Sequence, residues 1–161
     1  MSVIEANGLI VPVCLRCFEQ VRWQVREWLD AYTCPDRFRV SVNFSRQQLL
    51  EEGLVPRLLA CLEAVRLPPA HIVIEVTESL AIHNLERTTH VLQQLGEAGL
   101  KVLLDDFGTG HSSLVCLHQL PIAGLKLDRM LLKATERHPA LLRTLVALAG
   151  SLGLLTSSIR S

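Results

Sequence analysis

Short apolar segments alternate with longer amphipathic segments along most of this 161-residue chain. The short segments are 39–45, 72–76, 102–105 and 124–128, which are rich in Val, Ile and Leu. Helical periodicity predicts helices over about 12–32, 47–65, 80–98, 112–120 and 131–152. Because a strand–helix–strand order gives parallel strands joined by right-handed crossovers, the pattern predicts an α/β fold with a parallel sheet. No linker or low-complexity stretch interrupts it, so we expect a single domain over residues 1–161.

One polar residue lies near the C-terminal end of each predicted strand: Asn43, Glu75, Asp105 and Lys126, which are 32, 30 and 21 positions apart. In α/β barrels and open parallel sheets, the carboxyl ends of the strands form the rim that carries the chemistry. The alternative is that four unrelated strand ends meet water. We favour convergence around a cation, because without one the acids would form a costly cluster of like charges. These acids are Glu75, Glu78, Asp105 and Asp106.

The donor set at this rim consists of carboxylate and amide oxygens. Asn43, Glu75 and Asp105 suit Mg²⁺ or Mn²⁺ better than zinc, and Asp106 with Glu78 would supply a second metal. Two such ions about 3.5–4 Å apart activate water for in-line attack on a phosphate diester. A surface turn with two solvated aspartates is the other interpretation of the Asp105–Asp106 pair.

Two cations follow the acids in sequence. Lys126 would orient the attacking water or neutralise charge on the phosphoryl oxygens, and Arg129 would serve either purpose. Alternatively, Lys126 forms a salt bridge to Asp128 or to one of the rim acids. The two roles are compatible.

The overall composition excludes several functions. The chain has 16 basic and 16 acidic residues and no basic patch, which argues against DNA or RNA as a partner. Its five cysteines are odd in number and irregularly spaced, so a secreted disulfide framework is not expected. The start lacks a signal pattern, and the longest apolar stretch, 140–155, is too short to span a bilayer. We therefore expect a cytoplasmic protein without a membrane partner.

Five segments together resemble one known family. They are Glu5–Pro12, Val42–Ser45, Glu75–Ser79, Asp105–Gly110 and Leu125–Arg129. In this order and spacing the chain resembles the EAL domain, a TIM-barrel phosphodiesterase that hydrolyses cyclic di-GMP to the linear dinucleotide.

The resemblance implies roles for individual residues. Asn43, Glu75 and Asp105 match metal ligands, Asp106 a second-metal ligand, and Lys126 the lysine beside the catalytic water. Asp128 and Arg129 become candidate substrate-binding residues. The loop containing Phe107, Gly108, Thr109 and Gly110 resembles the loop that couples the metal site to the dimer interface.

The chain also departs from the family pattern. The family's Glu-Ala-Leu strand would precede Glu5, and its later Ala-Glu-Gly-Val-Glu strand has no match after Gly153. We therefore expect an incomplete (β/α)8 TIM-type barrel that lacks the first strand and the last strands. A metal-binding glutamate and a phosphate-binding arginine would be missing with them.

These departures bear on function. We expect weak or no turnover, weak binding of Mg²⁺ or Mn²⁺ and of cyclic di-GMP, and a homodimer or a protein partner that covers the open barrel edges. The alternatives are a non-catalytic module that binds a nucleotide or a protein, and a fragment without a function of its own.

Overall fold

Five parallel strands form one sheet whose spatial order follows the order of the chain. The computed structural model describes residues 10–79, 84–107, 118–128, 131 and 139–158. The strands are β1 (Val40–Asn43), β2 (Ile72–Thr77), β3 (Lys101–Phe107), β4 (Gly124–Leu127) and β5 (Leu155–Ser158). All four neighbouring pairs are parallel. The predicted α/β class, with parallel strands alternating with helices, is confirmed.

Within the described residues, five helices lie between or before these strands: α1 (Ile10–Ala31), α2 (Arg46–Leu49), α3 (Leu54–Glu63), α4 (Leu85–Glu97) and α5 (Pro139–Ser151). Helix α1 carries Pro12 in its first turn, where a missing N–H costs nothing. Helix α2 begins at Ser45 with a capping box, in which Ser45 and Gln48 satisfy each other's backbone N–H groups. A 3₁₀ turn, Pro69–His71, leads into β2.

The two faces of the sheet have different chemistry. Strand alternation places Ile72, Ile74 and Val76 on one face, and all three belong to the buried apolar core with Leu92 and Leu95 of α4. Phe18 of α1 packs edge-to-face on Phe44, with ring centroids 6.4 Å apart. The opposite face carries the polar residues of the strands, and the candidate site lies there, whereas the described helices pack on the apolar face.

The strand after Gly153 corrects one expectation. The sequence pattern predicts four strands, but the structure contains a fifth, since Leu155–Ser158 pairs with β4 along its whole length. Helix α5 ends at Ser151, and Gly153 takes a φ of 69°, which returns the chain to the sheet edge. The polar sequence Thr-Ser-Ser gives no strong strand signal, and hydrogen bonds to the neighbouring strand override it.

The structure describes only parts of the remaining predicted helices. Helix α4 begins at Leu85, and α5 begins at Pro139, while residues 80–83 and 132–138 lie outside the described residues. The predicted helix over 112–120 also falls mostly outside them. Within the described ranges, no helix is long and apolar enough to cross a membrane.

Candidate functional site

Three charged side chains from three strands meet at the carboxyl end of the sheet. Lys126 Nζ lies 2.6 Å from Glu75 Oε2 and 3.2 Å from Asp105 Oδ2. The side chains of Lys126, Glu75 and Asp105 are only 14%, 5% and 16% exposed. The predicted convergence of strand-end residues is confirmed for these three, and so is the salt bridge between Lys126 and the rim acids.

Strand register explains this meeting. Glu75 is aligned with Leu103, and Thr77 with Asp105, so Glu75 and Asp105 lie on the same face of neighbouring strands. Between β3 and β4 the register shifts, and both Asp105 and Asp106 stand opposite Lys126. Glu75 is two strands from Lys126, about 9.5 Å at the backbone. The long lysine and glutamate side chains close that gap.

Asn43 ends β1 beside Glu75. The two residues are register partners, and the N–H of Phe44 donates to the carbonyl of Glu75. Residues paired in this way project to the same face, and Asn43 is exposed there. The capping box at Ser45 fixes the direction in which the chain leaves the strand directly after Asn43.

Asp106 occupies a strained backbone position next to the cluster. Its φ is +56°, in the left-handed region that few residues other than glycine adopt, and its N–H donates to Asp105 Oδ1 at 3.0 Å. Partial loss of hydration, followed by repulsion from Asp105 and Asp128, raises the pKa of the Asp106 carboxyl, and Lys126 offsets only part of the rise. The rim therefore carries an excess of negative charge on this side.

The pKa of Lys126 responds to the same charges in the opposite sense. Burial alone would lower it, but hydrogen bonds to Glu75 and Asp105 and the charges of these acids outweigh burial and raise the pKa. Lys126 is therefore a cation throughout the physiological range.

The other predicted residues lie around this centre or beyond the described part of the chain. Glu78 follows β2 and is buried, with 3% exposure, and Asp128 follows β4 and donates its N–H to the carbonyl of Phe107. Phe107 ends β3 in the apolar core. The structure does not describe Gly108, Thr109, Gly110 and Arg129.

The carboxylates of Glu75 and Asp105 converge on one positive group, the ammonium of Lys126. The ammonium group of Lys126 touches oxygens of both acids, which shows that the two carboxylates aim at a common point. Hard oxygen donors of this kind suit Mg²⁺ or Mn²⁺. Across the described ranges, no three His, Cys, Asp or Glu residues gather as a metal-binding group. A further donor beside the two carboxylates would be the amide oxygen of Asn43.

Sequence reasoning did not select Ser157. Its backbone is the register partner of Lys126 on β5, at the same level of the sheet as the cluster. The polar run Thr156–Ser158 was the only signal, and without the strand it had no position in the fold.

Comparisons with known proteins agree on one family. A family model described as "EAL domain" matches residues 1–157. The chain is 37% identical over 157 residues to the cyclic di-GMP phosphodiesterase PdeR of Escherichia coli, covering 96% of this chain and 23% of PdeR. It is 36% identical over 140 residues to the signaling protein YkoW of Bacillus subtilis, covering 86% of this chain and 17% of YkoW.

Solved structures give the same result. The chain resembles the PaMucR phosphodiesterase in complex with c-di-GMP, with a TM-score of 0.85 and 32% identity, covering 99% of this chain and 70% of that one. It also resembles the EAL domain of Mycobacterium smegmatis DcpA, with a TM-score of 0.73 and 30% identity, covering 91% of this chain and 64% of that one. The chain spans about a fifth of the length of the two curated relatives described above.

Proposed function

This chain belongs to the EAL domain family, and we propose that its strand rim is a cyclic di-GMP phosphodiesterase site that acts in cyclic di-GMP signalling. The observation that carries the proposal is the cluster in which Lys126 joins Glu75 and Asp105. It gathers the acidic and basic groups that phosphodiester hydrolysis needs at the end of the sheet where α/β enzymes hold their sites.

We assign the cation-binding residues from their positions. Asn43, Glu75 and Asp105 share one face of three neighbouring strands and would hold one Mg²⁺ or Mn²⁺. Asp106 follows Asp105 in the chain and Glu78 follows β2, and we propose that these two residues would hold a second ion. When bound, such ions lower the pKa of water and withdraw charge from the phosphate.

The remaining groups act on water and substrate. The ammonium group of Lys126 would orient the attacking water or neutralise a phosphoryl oxygen, because it is charged and held within the cluster. Asp128, which follows β4, and Arg129, the next residue in the sequence, are proposed to bind the substrate.

We further propose that this chain turns over cyclic di-GMP slowly. Lys126 already engages one oxygen of each carboxylate, so a divalent ion must share or displace that contact before it is held firmly. The alternative is a module that binds the nucleotide, or a protein, without cleaving it.

We also propose how this chain assembles and where in the cell it acts. The segment 107–110 would couple the metal site to a dimer interface, and a second copy or another protein would cover open sheet edges. We propose a cytoplasmic location, with no DNA, RNA or membrane partner.

The test is incubation of the protein with cyclic di-GMP and Mn²⁺, with the products separated by liquid chromatography. We expect slow formation of the linear dinucleotide by the unmodified protein. Asp105→Asn should lower the rate at least tenfold, which corresponds to about 1.4 kcal/mol of transition-state stabilisation. Lys101→Met, at the opposite end of β3, is the matched control and should retain the rate.

Calorimetric titration of cyclic di-GMP separates the alternatives. Binding without product would replace the enzyme proposal with the binding module. Neither binding nor product would overturn both.

A further inference from the structure

Lys126 holds two carboxylates at once, although the proposed function needs it near only one water molecule. Its Nζ is 2.6 Å from Glu75 Oε2 and 3.2 Å from Asp105 Oδ2, and all three side chains are mostly buried. Charge-assisted hydrogen bonds of this length in a poorly solvated place are strong. The ammonium group is therefore the built-in counter-ion of the pair.

The same two oxygens belong to the proposed cation ligands. A divalent ion bound there would either replace Lys126 as their partner or sit within a few ångströms of its positive charge. Both arrangements work against the ion, because like charges repel and because a broken buried ion pair leaves an unpaired charge.

The position of Lys126 in the sheet keeps it in place. It lies in β4, which is paired with β3 on one side and with β5 on the other. The register shift in β3 brings Asp105 opposite Lys126. Pairing on both sides therefore fixes the backbone position from which the Lys126 side chain reaches the two carboxylates.

We propose that Lys126 sets the cation affinity of this site, by competing with divalent ions for the carboxylate oxygens of Glu75 and Asp105. The inference rests on the proposed function for the assignment of the ligands. The chain would then carry its own competitor, and the lysine proposed to act in hydrolysis would also limit how tightly the metal is held.

The experiment compares Lys126→Met with Lys101→Met by calorimetric titration with MnCl₂ and with MgCl₂. Lys126→Met should bind Mn²⁺ at least about tenfold more tightly than the unmodified protein, a change equal to about 1.4 kcal/mol in binding free energy. Lys101→Met should bind as the unmodified protein does. Equal or weaker binding by Lys126→Met overturns the inference.

A second measurement covers the case in which the variant folds poorly. Without metal, Lys126→Met leaves two carboxylates unpaired, so its unfolding temperature should fall, and Mn²⁺ should raise it by more than it raises that of the unmodified protein. Lys126→Gln, which is neutral but retains hydrogen-bond donors, should show the same increase in affinity. If Mn²⁺ neither stabilises Lys126→Met nor binds Lys126→Gln more tightly, the inference is wrong.

These readouts do not depend on hydrolysis. If Lys126→Met binds metal more tightly and the unmodified protein makes no linear dinucleotide, this inference is supported and the proposed enzyme activity is ruled out. An active unmodified protein with unchanged affinity in Lys126→Met would do the reverse.

Discussion

A methyl group added at Gly124 should weaken the pairing of β5 with β4. The Cβ atom of an alanine at this position would lie 2.4 Å from the carbonyl oxygen of Leu155, and 3.0 Å from both Leu155 Cβ and Leu103 Cδ2. The oxygen belongs to the backbone of β5, so no side-chain rotation relieves the contact. An ordinary contact would require β4 and β5 to separate by about 1 Å, which strains the pairing of Gly124 with Leu155.

The size of the effect follows from the overlap. Overpacking of a buried site costs about 1–3 kcal/mol, and each kcal/mol lowers the unfolding temperature of a chain of this length by about 2–4 °C. We therefore expect Gly124→Ala to unfold about 2–12 °C below the unmodified protein. Thermal unfolding followed by far-ultraviolet circular dichroism measures this difference.

Gly96 provides a matched control with the opposite sign. It lies in α4, is exposed, and an added Cβ would meet nothing within 4 Å. Alanine is a better helix former than glycine by up to about 1 kcal/mol, so Gly96→Ala should raise the unfolding temperature. The reasoning is refuted if Gly124→Ala unfolds at or above the temperature of the unmodified protein, or if both variants lose stability equally.

Three further predictions concern single polar groups. Thr88 is 1% exposed and its Oγ1 has no hydrogen-bond partner among the described residues, so Thr88→Val should gain about 1 kcal/mol in urea unfolding, and a loss would contradict this. Asp106→Asn should unfold at a higher temperature at neutral pH, because the substitution removes repulsion from neighbouring carboxylates and asparagine tolerates the positive φ, while formation of the linear dinucleotide should fall. An unchanged or lower unfolding temperature in Asp106→Asn would show that the repulsion is negligible. The pKa of Lys126 is raised in the folded protein, so its stabilising contribution is complete below the unfolded-state pKa of about 10.4 and disappears as the pH rises through the folded-state value. The stability difference between the unmodified protein and Lys126→Met should therefore shrink at strongly alkaline pH, and a difference that grows there would contradict the assignment.

The sequence was sufficient for the elements whose apolar pattern is local. The alternation of Ile72, Ile74 and Val76 with Val73 and Glu75 predicts β2 and its buried face, and both are confirmed. The predicted helix over 12–32 corresponds closely to α1. In these cases the period of the side chains alone decides the structure.

Features that depend on contacts between residues far apart in the chain could not be predicted from the sequence. Strand β5 exists because its backbone pairs with β4, and nothing in its own residues distinguishes it from a polar loop. The choice of Glu75 and Asp105 as partners of Lys126 also depends on register across three strands. The sequence predicted that Lys126 would meet an acid, but it could not select which one.

The register shift at the end of β3 is the feature that turns two adjacent acids into a site. In a regular strand, alternation would place Asp105 on the polar face, Asp106 among the leucines of the helix-covered face, and Phe107 back on the polar face. In the structure Phe107 is aligned with Leu127 and lies in the core, while Asp106 is exposed at the rim with a positive φ. A left-handed conformation at a residue other than glycine costs about 1–3 kcal/mol, whereas an unpaired carboxylate in an apolar core costs more. The bulge is therefore the cheaper way to keep both aspartates at the rim and to bury Phe107. Its cost, at a place where the chain breaks its own alternation, is itself an argument that the paired carboxylates are the functional centre.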